Sequence, residues 1–195
     1  MAVTRLTTNG LTGTKYDIAS ADNYFMEPIA TTLGTGSSGT ITFSNIPQGY
    51  KHLQIRMLVK GTSTSGGVNT GCKIEFNGDT TSTNYYRHSI TGTGSSASSA
   101  ASNSNNEIIN AIGSSSFANI YGINIVDILD YANTSKYKTV KNLIGQDVNG
   151  SGLIQLTSGL WNNTAAITSI ALVADPTYIT NWTTASRFSL YGIKG

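Results

Sequence analysis

Charge is scarce in this 195-residue chain. Asp, Glu, Lys and Arg together make up 11% of it, where an ordinary globular domain carries roughly 25%. The wetted surface therefore has to be built from Ser, Thr, Asn and Gly, a composition commoner on extracellular and virion proteins than on cytosolic enzymes. The net charge is only +2, and the basic residues are scattered, which leaves no basic patch for nucleic acid. The single cysteine, Cys72, excludes an internal disulfide. It alternates with polar residues in GCKIEF and reads as a small core side chain. The only two histidines, His52 and His88, offer no zinc spacing, and no serine stands in a GxSxG frame. No run approaches the ~18 apolar residues of a membrane span, and the N-terminal MAVTRLTTNGLTG lacks the apolar core of a signal peptide. Helical periodicity is missing as well.

What is present is alternation. In Leu53, Ile55, Met57 and Val59 against His52, Gln54, Arg56 and Lys60 the apolar residues recur every second position, the signature of a strand with one buried face. Leu58 breaks that rule on the polar side and marks a covered edge or a partner contact. The stretch Ile120 to Asp147 predicts two long strands joined by a polar turn at Ala132 to Lys136. Apolar side chains occupy both faces of its first strand, so the pattern predicts cover on both sides. Asn77-Gly78 and Asn149-Gly150 are hairpin-turn signals. A shortfall of apolar residues in Thr91 to Asn106, all Thr, Gly, Ser, Ala and Asn, predicts a long mobile loop. With about ten short strands, the chain predicts an all-β antiparallel two-sheet β-sandwich, a jelly roll in preference to other topologies, spanning residues 39–195. Residues 1–38 are expected to form an extended N-terminal arm.

Candidate chemistry is thin. Gly34, Gly36 and Gly39 have GxGxxG spacing but precede a strand and open no helix, so they read as a loop. Asp127 and Asp130 are the paired carboxylates a glycosidase would need. Three apart on a strand, they point to opposite faces, and structural roles near Lys136 and Lys138 are the better reading. Asn133, Asn149, Asn162 and Asn181 each begin a glycosylation sequon, a frequent accident in an Asn-, Ser- and Thr-rich chain. No catalytic, cofactor-binding or metal-binding residue is expected. Tyr178 and Trp182, in a loop near Pro176, are the candidate surface contacts, because exposed aromatic rings often meet sugars or proteins; capping the end of the core is the equal alternative for both.

Several segments taken together, TFSNIPQGYKHLQIR, FNGD followed by NYYRH, DYANTSKYKTVKNLIGQDVNGSG, LTSGLW with NNTAAITSI, and the terminal FSLYGIKG, resemble a β-sandwich module of tailed-bacteriophage virion proteins, notably those of marine and cyanobacterial phages. The resemblance spans roughly residues 27–195. It implies a non-enzymatic structural protein on the virion exterior, either a capsid decoration protein or a tail-fibre head for host attachment. It also implies shell or tail proteins as partners, a homo-oligomer (a trimer in the tail-fibre version), and a host-surface glycan as a further ligand. A stand-alone carbohydrate-binding module and, well behind it, a small glycan hydrolase using Asp127 are the competing readings.

Overall fold

The computed structural model describes residues 25–62, 67, 69–113, 118–148 and 150–195. In chain order the strands are β1 (Met26–Leu33), β2 (Thr40–Phe43), β3 (His52–Val59), β4 (Gly61–Thr62), β5 (Thr70–Phe76), β6 (Tyr85–Gly92) and β7 (Ala97–Ser102). They continue with β8 (Ile109–Ala111), β9 (Gly122–Leu129), β10 (Lys138–Asp147), β11 (Gly152–Trp161), β12 (Ile170–Val173), β13 (Asn181–Trp182) and β14 (Arg187–Ile193). Among the described residues the only helical piece is a 3-10 turn at Ser82–Asn84. The expected all-β antiparallel sandwich is therefore present, with more and shorter strands than the ten that sequence alternation suggests.

An eight-stranded sheet runs β1-β14-β3-β9-β10-β11-β6-β7, a four-stranded sheet β2-β12-β5-β8, and β13 pairs with β4. If β10, β11, β6 and β7 are set aside, two four-stranded sheets remain, β1-β14-β3-β9 and β2-β12-β5-β8. The chain passes between them in the order that defines two Greek keys of a jelly roll. The β6–β7 hairpin enters between β5 and β8, and the β10–β11 hairpin between β9 and β12. Both extend the same sheet on the same side. The large sheet is thus twice as wide as the small one.

Alternation decides what is buried. Leu53, Ile55, Met57 and Val59 of β3, Val126 and Ile128 of β9, and Phe188 and Leu190 of β14 face Ile41, Phe43, Cys72, Ile74, Phe76 and Leu172 of the small sheet. Beyond the small sheet, the inner face of the added strands is covered by the segment returning from β7 to β8. Ile108 lies over Gly159, where a Cβ would come within 2.5 Å of its Cδ1. The Asn142 amide donates to the Ile108 carbonyl and Arg87 to that of Glu107. Asn110, Asn124 and Asn142 bond to one another there, so the inner face carries polar residues bonded to backbone and amide partners, with Asn142 Oδ1 and Arg87 Nε left without one.

Within the stretch expected as an extended arm, Met26–Leu33 lies along its own domain as an edge strand paired to β14, with a bulge between Pro28 and Ala30, and three other expectations are corrected. Residues 1–24 lie outside the described residues. Within Thr91 to Asn106, the six residues of β7 are held by the ladder to β6 with almost no side-chain burial, because backbone pairing asks nothing of the side chains. Asn77-Gly78 has the positive φ values of a primed turn, 53° and 73°, but it joins strands of different sheets. Lys60, expected to face water, is buried at the end of β3.

The turns at one end of the sandwich are locked together by polar side chains. Asp79 accepts from Trp161 Nε1 at 2.8 Å, Asn84 Nδ2 at 2.9 Å and the Thr81 amide at 3.0 Å. The Asn77 side chain donates to the Ala166 carbonyl and accepts from the Thr168 and Ser169 amides. Tyr131 donates to the Pro47 carbonyl, and Gln48 to that of Ile167. Lys138 is fully buried, and its ammonium donates to the carbonyls of Asn133, Lys136 and Thr164. Burial lowers its pKa from the ordinary lysine value, yet three carbonyl acceptors compensate much of the lost hydration.

Two predictions follow from this end of the fold. Lys138→Met keeps the aliphatic stem but strands three carbonyls, and should cost about 3 kcal/mol in denaturant unfolding. Burial would raise the Asp79 carboxyl, but the bonds from Trp161, Asn84 and Thr81 outweigh it and hold it below the usual range. Its stabilising contribution is complete above the unfolded value of about 3.9 and disappears as pH falls through the lower folded value. Asp79→Asn should therefore be less stable than wild type at neutral pH, with the gap narrowing in acid unfolding titrations.

Candidate interaction surface

The outer face of the eight-stranded sheet has no layer of protein over it among the described residues. Register places its side chains in rows across the strands. Leu58, Ile123, Gly145, Ile154, Gly92 and Ala97 form one row. Ile125, Leu143, Leu156, Ile90 and Ser99 form the next. From β9 to β7 neither row holds a charge, while at the β3 end Arg56 stands beside Ile125 and Arg187 beside Leu58; six of the aliphatic side chains are between 39% and 64% exposed, Leu143 the least and Ile90 the most. The expectation that β9 is covered on both sides is thus corrected: its inner residues are buried, but Ile123 and Leu129 face outward and open.

Small residues shape this face. A hollow of about 470 Å³ opens beside Ile90 and Leu156, over His88, Ser99, Ala101 and Ser158. It exists because β7 brings only Ser and Ala to the edge of the rows. A second hollow, about 580 Å³, lies on the other side of Ile154, where Gly92, Gly145 and Gly152 leave room next to Ile123. The ridge Ile90, Leu156 and Ile154 stands between the two.

The third row holds the charges. Asp127 lies between Gln54 and Lys141 in register and is bonded to both, at 2.8 Å to Gln54 Nε2 and 3.0 Å to Lys141 Nζ. Its neighbours are therefore a cation and an amide, with no second carboxylate facing it across the strands. Asp130 sits past the end of β9 at φ 47°. The hydrogen bond from Lys136 at 3.0 Å holds its carboxyl below the usual range, as sequence proximity suggests; Lys138 turns inward instead. His52 Nδ1 accepts from the Asp130 amide at 3.0 Å, while His88 lines the first hollow from β6. The two histidines are separated by β9, β10 and β11. No group of three or more His, Cys, Asp and Glu able to hold a metal occurs among the described residues. Cys72 is buried, and burial pushes its thiol up to about 12, which keeps it protonated and unreactive.

Of the two aromatics expected to make surface contacts, the structure places only one at the surface. Tyr178 is exposed. Trp182 is wholly buried in β13, its ring 5.3 Å from that of Phe188 in an edge-to-face contact, so it closes the core and is not a contact residue. The loop composition that suggested exposure conceals a two-residue strand against Gly61. Residues of the aliphatic rows escape sequence reading one at a time; Leu58 alone was visible as an exception to alternation.

The paired variants test these placements. Trp182→Ala should destabilise by about 3–5 kcal/mol in denaturant unfolding, whereas Tyr178→Ala should change stability by no more than about 0.5 kcal/mol. No protein-family model matches the chain, nor does any curated protein or solved structure.

Proposed function

We propose that this chain is a non-enzymatic structural protein of a tailed-bacteriophage virion, displayed on the particle exterior as a capsid decoration protein or a tail-fibre head. One observation carries the reading: the disposition of its polar side chains. In the segments that resemble virion modules, the chemistry-bearing groups, Asn77 and Asp79, Tyr131, and Lys138, are consumed in bonds that tie turns of the sandwich together. Asp127, the one residue a hydrolase reading can use, is neutralised by Lys141. A fold whose polar groups bind itself, and whose open face is aliphatic, is built for packing into an assembly. In the tail-fibre version the exposed Tyr178 loop is the part offered to a host-surface glycan.

Mass spectrometry and antibody labelling of purified particles test the proposal, with the chain expected in intact virions and accessible from outside. Its absence from purified particles would sink the reading. Copy number then separates the versions: many per particle for decoration, few for a fibre head.

A further inference from the structure

We infer that the aliphatic band on the outer face of the eight-stranded sheet is the surface through which copies of this chain associate with one another. The inference deepens the structural-protein reading and rests on it for biological meaning, though not for its physics.

Area is the first argument. The six exposed aliphatic side chains leave on the order of 500 Å² of apolar surface open, near the top of the range for the largest patch on a monomer. That is over half of the roughly 800 Å² each partner contributes to a standard interface. At about 4.8 Å per strand spacing, the exposed aliphatic side chains run for roughly 19 Å, from β3 to β6. Most of it stands on β6, β10 and β11, the strands that widen the jelly roll on one side only.

Chemistry identifies the occupant. A glycan asks for aromatic platforms and fixed donors and acceptors, and these rows carry no aromatic residue. An anionic membrane or an acidic partner asks for clustered lysine and arginine, and from β9 to β7 the rows carry none. At the β3 end, Arg56 beside Ile125 is turned over the Tyr191 ring at 5.5 Å and Arg187 stands beside Leu58, and Lys141 is paired with Asp127. Between β9 and β7 the rows themselves have no charge to clash with their own image, as an isologous contact requires; the nearby charges are Asp147 at the second hollow and Arg56 and Arg187 at the β3 end, and a net charge of +2 adds little repulsion between copies. The shape also suits a second copy: a ridge of Ile90, Leu156 and Ile154 lies between two hollows of about 470 and 580 Å³, so a rotated copy can seat its ridge in them.

Sedimentation equilibrium on the purified full chain tests this. Wild type is expected to associate, and Ile90→Lys with Leu156→Lys to weaken association at least about a hundredfold while keeping the wild-type circular dichroism and unfolding temperature. Ile154→Ser provides a milder variant should the double change impair folding, and is expected to weaken association in the same direction. Thr139→Lys, exposed on the same sheet but beyond the band, should associate like wild type. A monomeric wild type, band variants that associate normally, or an equal loss in Thr139→Lys would each overturn the inference. These results are independent of whether the chain is found in particles, so the two proposals can fail separately.

Discussion

The large sheet is about twice as wide as the sheet packed against it, and most of what is unusual in this molecule depends on that mismatch. Eight strands at a spacing of about 4.8 Å span roughly 34 Å, and four span roughly 14 Å. Sheet-on-sheet packing can cover only the jelly-roll half, β1, β14, β3 and β9. The other half needs a different cover on its inner side and, among the described residues, has none on its outer side. On the inner side the cover is irregular chain, the residues between β7 and β8. Irregular chain presents backbone groups that must be bonded, which accounts for Asn142 taking up the Ile108 carbonyl; Asn124 does the same for the amide and carbonyl of Asn110 on the edge strand β8.

The opposite end of the sandwich solves a related problem. Chain passing between two sheets leaves long turns whose backbone groups cannot all pair with each other. Asn77, Gln48, Tyr131 and Lys138 reach across to backbone groups of turns distant in sequence, and Asp79 holds the Trp161 indole at the end of β11 together with the nearby Thr81 amide. Residues that look like candidate chemistry in a linear reading are therefore spent on closure. The buried Lys138 is the clearest case: it has no carboxylate, but three carbonyls that would otherwise be stranded.

Much of the fold was legible from the chain alone. Period-two alternation in β3 and β5 identified the buried side chains correctly, since side chains on a strand alternate by geometry whatever lies above it; in β10 the mixed pattern did not single out a face. The reading failed where the deciding force was not local. Ala97–Ser102 has no apolar reason to be a strand and is one because β6 offers it a ladder. Trp182 has the sequence surroundings of a loop and is core because β4 and Phe188 meet it. On β9, apolar residues on both faces suggested two covering layers, but the structure supplies one. Leu58 gave the single hint of the open face, and a lone exception cannot reveal a band assembled from five strands.

By itself, then, the sequence determined the class of structure, the inward-facing residues of β3 and β5, and the poverty of charge and of reactive groups. Those properties are set residue by residue through alternation and composition. Tertiary structure decided which sheet each hairpin joined, that both added hairpins widened the same sheet, and that Leu58, Ile123, Ile154 and Ile90 came to share one face. Strand order and register are properties of pairs of distant segments, and a surface made of one residue from each of several strands exists only once those pairs have formed.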